Sequence, residues 1–332
     1  MKQERIVYLT IFLYVCVISI SCQQTSKQKQ LNEKTYTEHF IHGSTVRLHY
    51  LDWGGTGQPL ILIHGLGDSP YLFEDLANSL KKNFRVIAYS RRGNCKSQTT
   101  DSSYDNSILV ADLKLLIDSL KIPKANLLGW SMGGNEITEF AIQYPEQTNK
   151  LIYFEAGYDL SEEPFRKMLN MLPKSPFADS SALSSVDAYR KWHHGFWFPD
   201  IDWNSTLESN LQASIVINPD NSIRTLPEDE VSKITLQAAM TYHRNYDKVS
   251  APALVLYTNS FFCASPNDSA LAMAYNNLEK EIIDPWRKHS MNRVKTELKD
   301  ATIKVLSKGS HVSLIFESKD EIVNAINVFL LK

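Results

Sequence analysis

Short runs of β-branched and apolar residues alternate with helical patterns from Tyr36 to the end of the chain. Leu60-Ile61-Leu62-Ile63 is apolar at every position, as a strand buried on both faces requires. Phe84–Tyr89, Ala125–Leu128, Leu151–Phe154, Ala253–Tyr257 and Thr302–Leu306 share that character. Upstream, runs around Glu38–Ile41 and Val46–Trp53 predict an opening hairpin that turns at His42-Gly43-Ser44. Between the strands, Leu109, Leu113, Leu116, Ile117 and Leu120 form one helical stripe, as do Ile322, Ile326, Phe329 and Leu330. A further helix is predicted from Ser69 to Lys82. Alternating strands and helices predict a mostly parallel sheet covered on both faces.

Two segments break this rhythm. Roughly 90 residues between Glu155 and Ala253 offer no clear sheet strand, too long a stretch for a loop in a compact domain. They contain Phe165, Met168, Leu172 and the cluster Trp192-His193-His194-Gly195-Phe196-Trp197-Phe198, and predict a mostly helical inserted cap. The second segment is N-terminal. Lys2 and Arg5 precede an apolar run from Ile6 to Ile20, shorter than the about 20 residues of a spanning helix. Ser21-Cys22 then opens a polar stretch rich in Gln, Lys and Ser. A small residue before Cys resembles a bacterial lipoprotein box, although Ser19 stands where leucine is commonest. The expectation is an exported protein with Cys22 lipidated and tethered to a membrane; an ordinary secretory signal or an uncleaved anchor are the alternatives. The expected domains are a signal peptide over 1–21, a polar tether over 22–35, a core over 36–157 and 246–332, and a cap over 158–245.

Composition narrows the function. The 332 residues are 43% hydrophobic, with Lys+Arg 35 against Asp+Glu 37 and a formal net charge of −2. A phosphate backbone finds little to hold, which excludes nucleic acid as a partner. Four cysteines (Cys16, Cys22, Cys95, Cys263) build neither a disulfide-dense scaffold nor a zinc cluster. In an exported protein Cys95 and Cys263 occupy a compartment that permits a disulfide.

The candidate chemistry lies at strand ends. Ala125–Leu128 runs into Gly129-Trp130-Ser131-Met132-Gly133-Gly134 and then a helix. This is G-x-S-x-G in its strand–turn–helix context, with glycines where the strand and helix approach most closely, and Ser131 is the expected nucleophile. His64-Gly65-Leu66-Gly67 follows the most apolar strand, and the backbone N–H groups of Leu66 and Met132 are the expected oxyanion donors. His311, in Lys308-Gly309-Ser310-His311 after the last strand, is the best general base among nine histidines. His64 is read as bracing its loop, and His193-His194 as cap surface or pocket lining. No His-x-x-x-His or carboxylate spacing argues for a catalytic metal, and the chemistry needs no cofactor.

Together Gly129–Gly133, His64–Gly67 and Gly309–His311 resemble the α/β-hydrolase fold family across Tyr36 to Lys332. The resemblance implies an eight-stranded, mostly parallel sheet flanked by helices, with a cap inserted late. It also implies an acid for the histidine, usually after the next-to-last strand. Here that strand ends in Tyr257-Thr258-Asn259-Ser260 with no carboxylate, and Asp268 lies further along. Some relatives place the acid after the strand that follows the nucleophile's helix, where this chain has Glu155. Glu155 is favoured, with Asp268 and Asp159 as alternatives. Where relatives often carry Asp-x-Arg-Gly, this chain reads Ser90-Arg91-Arg92-Gly93, and Arg92 is taken to staple its loop. The expected reaction is hydrolysis of a carboxylic ester or related small acyl substrate through an acyl-enzyme. Carbon–carbon bond hydrolysis, aminopeptidase activity and non-catalytic ligand binding share these motifs. A serine nucleophile disfavours epoxide hydrolysis and dehalogenation, which use aspartate in related enzymes.

Overall fold

The computed structural model describes residues 34–100, 103–262 and 269–332. The chain divides into two units, Met1–Thr37 and Glu38–Lys332. Of the first, residues 34–37 are described, with Lys34 Nζ 5.7 Å from the centroid of the Tyr36 ring. The signal-peptide and lipidation expectations, Cys22 included, fall outside the described residues, as do Cys263 and Asp268. Among the described residues no helix is long and apolar enough to cross a membrane.

The second unit is built on an eight-stranded sheet in the order β1-β2-β4-β3-β5-β6-β9-β10. These strands are β1 (Thr37–His42), β2 (Arg47–Gly54), β3 (Pro59–Ile63), β4 (Arg85–Tyr89), β5 (Ala125–Trp130), β6 (Thr148–Phe154), β9 (Ala253–Tyr257) and β10 (Ala301–Val305). β2 runs antiparallel to β4, and every pairing from β4 to β10 is parallel. The expected architecture is therefore present, and its cause is visible in burial. All residues of β5 and of β9 are buried, as continuous apolar runs require. α1 (Glu74–Leu80), α2 (Asn106–Ser119), α3 (Gly133–Gln143), α9 (Asp284–Glu297) and α11 (Lys319–Leu330) flank the sheet. In α2 the predicted stripe Leu109, Leu113, Leu116 and Ile117 is buried. The helix expected from Ser69 opens as a 3₁₀ turn, Pro70–Phe73, before α1, with proline at its N-terminal position, where a missing N–H costs nothing.

Strand order fixes where chemistry can gather. The chain leaves β3 for β4 on one side and returns to β5 on the other, so the loops after β3 and β5 flank a topological switch point. Ile63 pairs with Gly129, Trp130 with Phe154, Phe154 with Leu256 and Tyr257 with Val305. The C-terminal tips of five strands thus meet at one sheet edge.

Between β6 and β9 the chain forms α4 (Glu163–Met171), α5 (Val186–Trp197), α6 (Ser205–Ala213) and α7 (Asp229–Ala239). Ser185 and Asn204 cap α5 and α6, accepting from the Ala188 and Leu207 N–H groups at 3.1 Å each. The same segment holds a small ribbon, β7 (Ile215–Ile217) paired antiparallel with β8 (Ile223–Thr225). Three-residue strands are too short to show a period, which is why the sequence suggested helices alone.

Arg92 does staple its loop. Its Nε and Nη2 donate to the two Asp112 oxygens at 2.7 Å each, tying the loop after β4 to α2 with both side chains 4% exposed. Removing one partner of a buried pair strands the other's charge. Asp112→Ala is expected to lower unfolding free energy by about 3 kcal/mol. Urea denaturation monitored by circular dichroism measures this, and a loss below half that figure contradicts the stapling role.

Candidate active site

The turn between β5 and α3 is made by what its glycines lack. A Cβ on Gly129 would stand 2.4 Å from Gly133 O, and one on Gly134 would stand 2.7 Å from Ala156 O. Only hydrogen fits at either position, so strand, helix and the segment after β6 close around Ser131. Ser131 itself takes φ +54°, a left-handed conformation that costs a non-glycine residue energy and is held here by its surroundings. Its N–H donates to Phe154 O at 3.2 Å, continuing the β5–β6 ladder past the strand end.

His311 reaches Ser131 from the loop after β10. Its Nε2 lies 2.8 Å from Ser131 Oγ and its Nδ1 lies 2.8 Å from Glu155 Oε2. A carboxylate only accepts, so Nδ1 carries the proton and Nε2 is left to accept from the serine hydroxyl. The imidazole is clamped from several sides. The His311 backbone N–H donates to Phe261 O at 3.2 Å, Trp130 Nε1 donates to the His311 backbone carbonyl at 3.0 Å, and the Phe261 ring stacks on the imidazole at 4.1 Å.

Glu155 follows β6 at φ +47° and is fully buried. Its Oε1 accepts from Thr258 N at 2.7 Å, from Thr258 Oγ1 at 2.9 Å and, weakly, from Tyr158 OH at 3.5 Å. A buried carboxylate is tolerable only when supplied with donors in this way. Asp159 lies in a different network. Its oxygens accept from Ser161, from Arg244 N at 3.1 Å and from Arg293 Nη1 at 3.0 Å, and His243 sits 2.7 Å away. Burial alone would raise its carboxyl, but Ser161, Arg244 and Arg293 together hold it below the ordinary range. The structure brings Ser131, His311 and Glu155 together and directs Asp159 elsewhere.

His64 is fully buried, with Nδ1 2.8 Å from Gly65 O and Nε2 accepting from Arg91 N at 3.3 Å. Burial and then the Arg91 charge push it well below the usual histidine range, so it braces the loop as a neutral ring. Arg91 was not singled out in the sequence. Its Nη1 donates to Gly65 O at 3.0 Å while its Nε pairs with Glu136 in the first turn of α3, joining the loop after β3 to the helix beneath Ser131. Two cap residues were missed as well. Asn210 Oδ1 accepts from Ser69 N at 3.0 Å and from Ser69 Oγ at 2.5 Å, fastening α6 to that same loop. Arg244, fully buried, donates to Asn135 Oδ1 at 2.7 Å and to Ala156 O. Each joins segments far apart in the chain, which no local pattern announces.

Leu66, Met132, Ser131 and His311 border a cavity of about 210 Å³ roofed by aromatic side chains of the cap. Asp68 also lines it and finds no hydrogen-bond donor among the described residues. Burial pushes its carboxyl up to about 7, against a smaller downward pull from Arg91. Cys95 is a buried thiol with no disulfide partner among the described residues, and burial pushes it up to about 12.

The sequence profile of the alpha/beta hydrolase fold family matches residues 58–284. The chain is 34% identical over 139 residues to a 2-hydroxy-6-oxononadienedioate/2-hydroxy-6-oxononatrienedioate hydrolase of Comamonas testosteroni, covering 40% of this chain and 46% of that protein. It is 36% identical over 115 residues to epoxide hydrolase 4 of Mus musculus, covering 34% and 32% respectively. The chain thus spans less than half the length of these curated relatives. Among solved structures, E-2-(acetamidomethylene)succinate hydrolase superimposes with a TM-score of 0.68 at 18% identity, covering 90% of this chain and 100% of that one. At that identity the likeness concerns the fold.

The Asp68 shift has a stability consequence. A carboxyl with an ordinary value of 3.8 that is raised to about 7 on folding stays protonated in the folded protein while the unfolded chain releases its proton. Its favourable contribution is therefore complete below about pH 4 and lost as pH rises toward 7. Asp68→Asn, which does not titrate, is expected to gain on the wild type between pH 4 and pH 8 in urea midpoint. A difference that stays flat or shrinks over that range contradicts the assignment.

Proposed function

We propose that this chain, which belongs to the alpha/beta hydrolase fold family, is a serine hydrolase that cleaves a small carboxylic ester or related acyl substrate through a Ser-His-Glu triad. The carrying observation is the unbroken relay from Ser131 Oγ to His311 to Glu155, with both contacts at 2.8 Å. In this reading His311 Nε2 takes the Ser131 proton as Oγ attacks the substrate carbonyl carbon. Glu155 holds the tautomer and stabilises the imidazolium that forms. The Leu66 and Met132 N–H groups receive the oxyanion, and His311 returns the proton to the leaving group. A water activated by the same imidazole then cleaves the acyl-enzyme and frees Ser131.

Two features favour an ester over the substrates in the relatives' names. Among the described residues lining the cavity none is Lys or Arg, whereas Asp68 and Asp229 both face it. A dianion such as the dioate named for the Comamonas testosteroni relative would find no Lys or Arg among the described residues there to pair with. Ser131 occupies the nucleophile position, and an alkoxide-forming serine suits acyl transfer more than opening of an epoxide. Trp192, Phe196 and Phe198 on the cavity wall suit an apolar acyl or alcohol moiety. Placement of this chemistry in the cell envelope, through a lipid on Cys22, rests on the N-terminal sequence pattern alone.

A fluorophosphonate probe is expected to label the wild type and not Ser131→Ala; a folded wild-type protein that stays unlabelled at neutral pH points to ligand binding without catalysis. On a 2-naphthyl ester, Glu155→Gln is expected to lower kcat by about 10³- to 10⁴-fold, because the amide supports the wrong imidazole tautomer. Asp268→Asn is expected to leave kcat within about twofold of the wild type. The reverse pattern would move the acid to Asp268. Thr258→Val, which keeps the backbone donor and removes the hydroxyl, is expected to cost about tenfold in kcat with KM little changed.

A further inference from the structure

The described lining of the cavity beside Ser131 includes acidic side chains and no Lys or Arg. Apart from Glu155, which is spent on His311 and Thr258, its charged lining consists of Asp68 from the loop after β3 and Asp229 from the first turn of α7. Tyr189 of α5 lines the same space and lies in the field of both: burial first, then Asp229 and Asp68, push its phenol upward. His193 is its neighbour, with ring centroids 5.8 Å apart. That imidazole is 6% exposed, lines the cavity, and leaves Nδ1 without a partner among the described residues. Burial lowers it to about 4, so it brings no positive charge. The nearest cation that acts on Asp68, Arg91, is committed to Glu136 and Gly65 O behind the loop. Trp192, stacked on Phe196 at 5.7 Å, adds aromatic faces whose quadrupoles attract cations.

We propose that Asp68, Asp229 and Tyr189 form a subsite for an ammonium group on the acyl half of the substrate, so that the enzyme acts on amino-acyl esters or amides. This deepens the serine-hydrolase reading and rests on it. Position sets the length of the acyl group. Asp68 and Ser131 both lie against Gly65: a methyl placed there would stand 2.9 Å from Asp68 Oδ2 and 3.6 Å from Ser131 Cβ. Asp68 Oδ2 and Ser131 Cβ are therefore at most about 6.5 Å apart, a span that a short α-amino acyl group can bridge. The electrostatics agree. An ionised carboxylate this close to the oxyanion donors would oppose the charge that develops in the transition state. A bound ammonium cancels that charge, and Asp68, poised at about 7, ionises when the cation arrives. A neutral acyl group leaves the carboxyl without a cation and gains nothing from the subsite. His193 Nδ1 is a further polar group in the same region.

The test compares the 2-naphthyl esters of alanine and of isobutyric acid, which differ only in ammonium against methyl, on the full chain at about pH 6 where the amine is protonated. The alanyl ester is expected to show about 10- to 100-fold higher kcat/KM. Asp68→Asn is expected to bring the ratio to near one, and Asp229→Asn to reduce it partway. Circular dichroism and fluorophosphonate labelling of each variant confirm a folded protein with a reactive Ser131. Equal turnover of the two esters, an isobutyryl preference, or a ratio unmoved by Asp68→Asn overturns the subsite while leaving the serine hydrolase intact. No turnover of either ester together with no labelling of Ser131 overturns both.

Discussion

Everything at the site depends on parallel strands being held in one register. Because Ile63, Gly129, Phe154, Leu256 and Val305 belong to neighbouring ladders, the residues that follow them emerge along a single edge. The ladders also continue slightly beyond the strands. Ser131 N donates to Phe154 O, Glu155 N to Leu256 O and Leu306 N to Tyr257 O. A slip of one residue in any strand would send its side chains to the opposite face and separate Ser131 from Glu155. The continuous apolar character of β5 and β9 makes such a slip costly, since both faces are covered. The left-handed φ values at Ser131 and Glu155 then redirect each side chain out of the strand direction. Rigid backbone supplies the positions, and two strained residues supply the aim.

A second tier of contacts keeps the loops from relaxing. Arg91 spans from Gly65 O to Glu136, Arg244 from Asn135 to Ala156 O, and Thr258 closes on Glu155 from the neighbouring tip. Each supplies a buried main-chain carbonyl or carboxylate with a donor that regular secondary structure would otherwise provide. Donors fixed before the reaction spare the protein from reorganising as charge develops. The β9 tip, which carries no carboxylate, therefore still shapes the site: Thr258 supplies two of the hydrogen bonds that hold Glu155 on the neighbouring tip.

How legible this was depends on how far apart the partners are in the chain. The eight-stranded sheet was readable because burial on both faces leaves continuous apolar runs. Ser131 was readable because its turn demands glycines at fixed offsets, and His311 because it follows the final strand and precedes the last helical pattern. Glu155 came from family resemblance, since a lone glutamate at a strand tip has no signature of its own. Asn210 with Ser69 and Arg244 with Asn135 lie 141 and 109 positions apart and follow no period. A serine, two asparagines and an arginine among loops and helices read as solvated surface until the fold joins them. The β7–β8 ribbon was lost for the opposite reason, being local but only three residues per strand.

The bond between Asn210 and Ser69 has a mechanical consequence for the site. Both residues are fully buried, and they connect α6 of the cap to the segment that contains Leu66. The cap helix and the loop beside Ser131 are thus mechanically one piece on this side. A compound that wedged between α6 and the Pro70–Phe73 turn would release that loop while leaving Ser131 untouched. By thermodynamic reciprocity, a tightly held tetrahedral mimic at Ser131 would in turn resist the wedge. Cap and loop are therefore coupled through one buried joint, at a distance from Ser131.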